Sequence, residues 1–571
     1  MVRLHYANRL ENLIAPLAAA IRALQQSHPL QRIPVIVPNR AIEEFVKLRV
    51  AEQTGVAANL EFPFLRRFVA DKLRAADPSL RIVEFEQLQV LLFECIRRGA
   101  LRNDRELAAV RDYIAGGSGD EADQERRTME LAGYVARLFR EYSISRRAMI
   151  RRWHAGERLD AAPFEDAERW QRPLWDALFD ADGGLRPDWS ANQTLKWMLL
   201  PDAFNAADKA RLKSVLPDEV FVFGLAYAGP AFVEIFARLG QLITLSVFAI
   251  NPCQEFWEDV DDARAAERLR LVHRGAKLEA GPDGAGDPFG LESGGDNPAL
   301  RLWGRPGREY VRMLNELAEC DFESHFTHPA ADGAPTILRS LQESILVREG
   351  ERAPMQPGDS PADDGSVRIL ACPGIRREVE IVANEIWSIV RSGDRAVDCG
   401  GAPPLRFHEI GVLIPDSSCD AYLPHIESVF AEQRDLPVEI TTHSAAEMSR
   451  VAEAIELLLQ LPLGRLARTE VVRVLTHPAI AGYDPELEPE LCSTWARELG
   501  VFFGADEEAT AAGYLPTDMG HWDQALKRMA LGVFMTGEPS GDSRALVAKL
   551  ARGTRCRNLN LRQGRSGPRQ H

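Results

Sequence analysis

The sequence predicts an α/β protein: two parallel-sheet domains in series, each carrying an inserted helical subdomain. Three observations lead there. In EVFVFGLAYAGPAFVEIFARLGQLITLSVFAINP (Glu219–Pro252), Val220–Phe223 is a short all-apolar run, Pro230–Leu239 has helical spacing, and Ile243–Ile250 is a longer β-rich run. That order reads as strand, helix and parallel strand, with both strands buried in a helix-covered sheet. A similar alternation returns after Val367, and the stretches between carry apolar residues at i, i+3 and i+4.

Composition sets bounds. At 571 residues the chain is long enough for about three or four domains. With 45% hydrophobic and 27% charged residues it is neither disordered nor fibrous. A formal charge of −16 argues against a protein that coats nucleic acid with its whole surface, so any such contact must come from local basic patches. The opening MVRLHYANRLENL has no apolar signal core and no run of about 18 apolar residues occurs, so a cytoplasmic protein without membrane contact is expected. The eight cysteines are scattered without a C-x-x-C pair, which predicts buried reduced thiols rather than a metal site.

Taken in order, HYANRLENLIAPLAAAIRAL passes from a short strand into an amphipathic helix with Leu10, Leu13, Leu17, Ile21 and Leu24 on one stripe. A nucleotide-driven motor of this build places a glycine-rich loop and lysine at that junction. Here it reads Tyr6-Ala7-Asn8-Arg9, and no GxxxxGK[ST] occurs in the chain. Such motors also place acidic residues after the strand Val220–Phe223, to hold magnesium and orient water; here Gly224-Leu225 follows. The sheet reads as a motor's centre without phosphate chemistry.

Pro34–Val37 reads as a strand and Ala41–Glu52 as a helix, so Pro38-Asn39-Arg40 falls at the carboxyl end of a strand, where open α/β sheets place ligands. An ordinary turn capped by Asn39 reads equally well. FPFLRRFVADKLR (Phe62–Arg74) alternates aromatics with arginines, the composition wanted for stacking bases and meeting phosphates. Composition alone also allows Phe62, Phe64, Leu65 and Phe68 as core, with Arg66 and Arg67 on a solvated face. From Val83 to about Trp153 the pattern is helical. Its second half carries Arg126, Arg127, Arg137, Arg140, Arg146, Arg147, Arg151 and Arg152 against Glu130 and Glu141, a candidate phosphate-contact patch. Residues 154–215 are helical, with Trp170, Trp175, Trp189 and Trp197 read as packing residues. Pro217-Asp218-Glu219 lacks the ExK partner that a nuclease reading needs.

Arg270–Pro298 reads as a surface loop, Arg308–Ala318 as a helix, and 328–366 as a linker crowded with turn residues. The first domain therefore spans 1–327, with its helical insertion at about 75–215. VRILACPG begins the second domain (367–440) as a strand, with a helix at Arg376–Val390, a strand at Ile410–Asp416 and a helix at Ala421–Phe430. A helical subdomain follows at 441–540, in which His477 ends a helix in a Thr-His-Pro turn. Residues 541–571 carry eight basic residues and one acid without a core pattern, and read as the product of a shifted or truncated frame or as a basic arm.

Several motifs resemble one family in order and spacing: NRLENL (Asn8–Leu13), GVAANLEFPF (Gly55–Phe64), FGLAYAGP (Phe223–Pro230), NPCQEFW (Asn251–Trp257), NPALRLWGRPGREY (Asn297–Tyr310) and RREVEIVANEI (Arg376–Ile386). They resemble RecC, the gamma subunit of exonuclease V, over about residues 1–537. The resemblance implies two motor-like domains of the superfamily 1 helicase type without a phosphate loop. It also implies a non-catalytic, DNA-binding subunit that processes double-strand ends with RecB-like and RecD-like motor subunits. Those partners would use the ATP and magnesium, and this chain would hold no cofactor. Duplex ends and single strands would be its ligands. The family's channel and base-reading positions fall on Arg40, Glu44, Phe64, Arg66, Arg67, Arg137, Leu138, Arg140 and Arg146. Pro38, Arg40, Ala70, Arg137 and Arg140 depart from the family's usual residue types, which implies a different recombination signal (Chi) or none. Arg376 and Arg377 read as salt-bridge or DNA contacts rather than a finger on ATP. Two alternatives stay open: a helical α/β scaffold that binds no DNA, and an active AddB-type helicase–nuclease, for which the phosphate loop and a cysteine cluster are lacking.

Overall fold

The computed structural model describes residues 1–98, 105–116, 121–159, 165–189, 194–260, 296–318, 321–332, 336–350, 364–398, 405–415, 418–433, 435–440, 449–481, 489–511 and 520–534. The chain divides into two compact units, Met1–Ile369 and Leu370–His571.

The strands of the first unit are β1 (Val2–Ala7), β2 (Ile33–Ile36), β3 (Leu60–Glu61), β4 (Leu80–Ile82), β5 (Lys196–Met198), β6 (Glu219–Phe223), β7 (Thr244–Ile250) and β8 (Phe322–Ser324). Six form a parallel sheet in the order β3-β2-β6-β7-β1-β8, while β4 and β5 pair separately. The predicted central pair is present, with Val220 opposite Leu245 and Phe223 opposite Phe248. Period-two alternation sends Val220, Val222, Leu245 and Val247 into one core and Phe221, Phe223 and Phe248 into another, so β6 and β7 are covered on both faces. Each of those phenylalanine side chains contributes about 1.5–3 kcal/mol by burial.

Helices α1 (Leu10–Ser27) and α2 (Arg40–Thr54) cover the phenylalanine face through Leu13, Ile14, Leu17, Ile21, Val46 and Val50. On the other face α3 (Leu65–Ala76) contributes Phe68, Val69 and Leu73. The chain then leaves the sheet for a helical layer of α4 (Phe85–Arg97), α5 (Ala108–Ala115), α6 (Glu121–Ser145), α7 (Arg147–His154) and α8 (Glu165–Leu178). Its core is aromatic: Phe139 packs edge-on against Trp175 at 5.1 Å and Trp153 at 6.5 Å, and Trp170, Trp189 and Trp197 lean on the same cluster. Burial in this layer pushes the Cys95 thiol up to about 12. The chain returns through α9 (Leu200–Ala206), α10 (Lys209–Val215) and α11 (Pro230–Leu242), which join α3 on the second face.

The segment read as a linker contains a helix, Ile337–Leu346, capped by Thr336. Its Leu346 is buried and accepts a hydrogen bond from the Gln254 amide at 2.9 Å. The apolar spacing of ILRSLQESIL outweighs the neighbouring turn residues.

In the domain expected at 367–440 the strands do not form among the described residues. VRILACPG and the described part of the Ile410–Asp416 run carry β-prone residues, but Ile369 is 95% and Leu413 is 97% exposed. β-propensity produces a strand only where a neighbour supplies ladder bonds and a face is buried. What forms instead is a helical core: Ile375–Asp398 and Cys419–Ile426, which continues into a wide π turn at Glu427–Gln433, pack through Val379, Ala383, Ile386, Ile426, Val429 and Phe430. Further along, Arg450–Gln460, Arg468–Leu475, Pro478–Ala481, Pro489–Glu498, Glu507–Ala511 and Trp522–Phe534 are helical. The basic tail and most of the Arg270–Pro298 loop lie outside the described residues. Among the described cysteines Cys95, Cys253 and Cys492 are buried, whereas Cys372 and Cys419 are half-exposed, contrary to a uniformly buried set. No described helix is long and apolar enough to cross a membrane.

Candidate nucleic-acid interface

The junction between β1 and α1 is filled by the chain itself. After β1, the Asn8 side-chain amide donates to the Thr327 carbonyl at 2.7 Å, and its oxygen accepts from the Thr327 amide at 3.0 Å. Asn12, in the first turn of α1, donates to the His325 carbonyl at 2.9 Å and to Thr327 Oγ1 at 2.7 Å. Two asparagines thus hold the backbone of residues 325–327 against the start of α1. At the end of β6, Gly224 adopts φ +70°, and a Cβ there would stand 3.5 Å from both Ile42 and Leu10. The following Leu225 is buried.

The carboxyl edge of the sheet gathers the residues singled out in Pro38–Arg74. Pro38, Asn39 and Arg40 are exposed in the turn after β2, and Asn39 caps α2 by accepting from the Ile42 amide at 3.0 Å. The Val37 amide donates to the Pro63 carbonyl at 3.4 Å, which sets this turn beside the start of α3. Phe64 is the N-cap residue of α3 and 43% exposed, whereas Phe68 is buried. The aromatic run therefore divides between edge and core. Arg66 pairs with Glu84, the N-cap residue of α4, and Arg67 extends into solvent, with Asp71 at 3.7 Å. Phe85, the next residue after Glu84, lies beneath the Arg140 guanidinium at 5.6 Å. A continuous line of contacts thus joins α3, the start of α4 and α6. Glu44 is exposed on α2 and Leu138 is half-buried on α6.

The arginine block separates into two groups. Arg126 pairs with Asp123 and Glu130, Arg127 with Asp123, and Arg152 with Glu157. Arg147 is buried against Asp202 at 2.9 Å and Glu234 at 3.4 Å, and Arg151 joins Glu234 at 2.9 Å. Those five are held by carboxylates: Arg126, Arg127 and Arg152 by acids on the same stretch of chain, Arg147 and Arg151 by Asp202 and Glu234 from other elements. Arg137, Arg140 and Arg146 are exposed and pair with no carboxylate among the described residues. Arg146 sits at the break between α6 and α7, with φ −115° and ψ 43°, and its amide still closes the last turn of α6 onto Tyr142.

The sequence reading passed over Tyr227. It follows the carboxyl end of β6, is 46% exposed and tilts against the buried Tyr310 at 6.2 Å between centroids. Burial raises its phenol pKa, and the neighbouring carboxylates Glu309 and Glu141 raise it further. Glu141 places the end of α6 near this ring, and Gly229 packs against Ile144 of α6. The available signal was the tyrosine in FGLAYAGP, at a strand's carboxyl end. Tyr134 adds a second exposed ring on α6.

The remaining candidates are structural. Asp218 faces Lys213 at 3.5 Å, and Glu219 accepts from Ser246 at 3.2 Å. Arg376 and Arg377 both pair with Glu380 on their own helix, which holds its carboxyl below the usual range. His477 is buried, accepts from the Ala479 amide at 3.2 Å and lies 3.2 Å from Glu453, in the turn that ends its helix.

The family description RecC, N-terminal domain, matches residues 2–348, and RecBCD enzyme subunit RecC fourth domain matches 448–552. The chain is 25% identical to the RecBCD enzyme subunit RecC of Escherichia coli (strain K12), over 96% of this chain and 50% of that one. It is 23% identical to the same subunit of Haemophilus influenzae, over 94% and 49%, and 22% identical to that of Mycolicibacterium smegmatis, over 94% and 46%. The chain spans about half the length of the curated relatives it matches. With the N-terminal family match covering more than half of its residues, the chain belongs to the RecC family.

Proposed function

We propose that this chain is a non-catalytic, DNA-binding subunit of a helicase–exonuclease that processes double-strand ends for recombinational repair. RecB-like and RecD-like partners would supply the ATP- and magnesium-dependent motor activity. In this reading the first unit is a superfamily 1 helicase-like domain without a phosphate loop. The observation that carries the proposal is the carboxyl edge of the parallel sheet. There, exposed Phe64 and Tyr227 lie on segments joined through α6 to Arg137, Arg140 and Arg146, which lack acidic partners among the described residues. Aromatic faces stack bases and unpaired cations meet phosphates. The self-filled junction at Asn8 and Asn12 supports a chain that leaves nucleotide chemistry to its partners.

The base-facing set proposed is Arg40, Glu44, Phe64, Arg66, Arg67, Arg137, Leu138, Arg140 and Arg146. Arg66 would reach DNA only by releasing Glu84. Proline at 38 offers no side-chain hydrogen bond and the arginines favour guanine or phosphate, so the Chi signal would differ from the family's or be absent. The test is forked-duplex binding titrated against salt, with DNA-stimulated ATP hydrolysis measured in the same samples. Salt-sensitive binding without turnover supports the proposal. Salt-independent or absent binding refutes the DNA role, and turnover that a substitution in this chain abolishes refutes the non-catalytic one.

A further inference from the structure

Away from the sheet's central edge, three metal-ligating side chains converge between β1 and the edge strand β8. His5 lies opposite Glu323 in the parallel ladder, so their side chains leave the same face. His325 follows Glu323 by two residues, and its amide donates to the Tyr6 carbonyl at 2.7 Å, which continues the alternation just past the strand. The result is an E-x-H pair on one strand facing a histidine on its neighbour. His5 Nδ1 stands 3.3 Å from Glu323 Oε2 and 3.4 Å from His325 Nε2, and the last two atoms are 3.8 Å apart.

The two separations from His5 Nδ1 match those around one tetrahedral ion, and the 3.8 Å between Glu323 and His325 is slightly longer. Bonds of about 2.0–2.2 Å at tetrahedral angles place ligand atoms about 3.3–3.6 Å from one another. Without a cation, two imidazole nitrogens and a carboxylate oxygen bring lone pairs onto a common point, and a single proton between two of them leaves the third unsatisfied. The site is held in shape independently of any ion. The His5 imidazole is stacked on Phe248 at 4.4 Å with 5° between planes, and Asn12 fixes the His325 carbonyl. His5 is buried, His325 half-buried and Glu323 exposed, so the fourth position opens toward solvent.

We propose that His5 Nδ1, Glu323 Oε2 and His325 Nε2 form a binding site for a divalent transition metal of the zinc class, with water completing the coordination. Two imidazoles and one carboxylate match the donor preference of zinc(II) and its spectroscopic stand-in cobalt(II). The ion would fasten β8 to β1, since its ligands come from both strands.

The test loads the purified full chain with cobalt(II) and follows visible d–d absorption, then measures zinc(II) affinity by competition with a chromophoric chelator. One equivalent should bind with the strong absorption of four- or five-coordinate cobalt. Glu323→Gln and His325→Ala change partly or largely exposed residues and should weaken zinc by more than the roughly 10–100-fold that loss of an outer-sphere partner costs. His5→Phe keeps the ring stack on Phe248 and should abolish the signal, while the exposed His408→Ala should leave it unchanged. Circular dichroism of each variant separates metal loss from unfolding. Weak octahedral-type absorption, or zinc affinity equal in wild type, Glu323→Gln and His325→Ala, overturns the assignment.

Discussion

Arg137, Arg140 and Arg146 give the proposed interface its most quantitative test. Each phosphate contact contributes about −0.7 to the slope of log K against log salt for single strands. Replacing all three with glutamine should make the slope shallower by about 2, so between 50 and 200 mM salt the fall in affinity should shrink about 20-fold. A matched control replaces Arg126, Arg151 and Arg152, which carry the same formal charge but are held by Asp123, Glu130, Glu234 and Glu157. Their removal frees acids without removing a phosphate contact, so it should lower affinity modestly at every salt and leave the slope nearly unchanged. The assay is fluorescence anisotropy of a labelled forked oligonucleotide at five salt concentrations, with the chain in its assembled complex and alone. Equal slope changes in the two triple variants would mean that net charge, not the unpaired arginines, governs binding. An unchanged slope in the first would remove α6 from the interface.

Other outcomes follow from particular contacts. Phe64→Ala and Tyr227→Ala should each weaken single-strand binding by about 1–3 kcal/mol per stacked base, with the salt slope retained, as read by quenching of 2-aminopurine placed along the strand. Arg147→Ala leaves Asp202 buried without its partner and should destabilise the first unit by about 3–5 kcal/mol, measured by urea denaturation. Burial lowers the pKa of His154, whose Nε2 is buried without a hydrogen-bond partner among the described residues. The folded state therefore favours the neutral ring: the stability it contributes is present above the unfolded pKa of about 6.5 and is lost as pH falls through the lower folded value. Thermal melts between pH 7.5 and 5 should decline less steeply in His154→Gln; an identical decline would assign the pH response to other groups.

The centre of the first unit was legible because both faces of β6 and β7 are buried, which forces the continuous apolar runs Val220–Phe223 and Ile243–Ile250. The edge strands were not. β3 spans two residues and β8 three, all of β8 is exposed, and such segments carry no periodicity to read. The domain expected at 367–440 shows the reverse, since Val367–Leu370 and Ile410–Ile414 have strand composition but acquire no ladder partner among the described residues. For the site, chemical type was legible and availability was not. Arg147 and Arg137 look alike in sequence, yet Arg147 meets Asp202, 55 residues away, and Glu234, 87 residues away. Only the fold brings those acids to one arginine and leaves the other exposed.

The sheet order also sets a timetable for synthesis. β1 lies between β7 and β8, and the Met1 amine donates to the Ile243 carbonyl across 242 residues of sequence. At about 5–20 residues per second, the first strand emerges roughly 12 to 50 s before its partner β7 exists. Throughout that interval Leu4 and Tyr6, destined for almost complete burial, have no β7 to cover them. Of the strands in this sheet β1 therefore waits longest for its first ladder partner, and the sheet closes only when β7 and then β8 leave the ribosome.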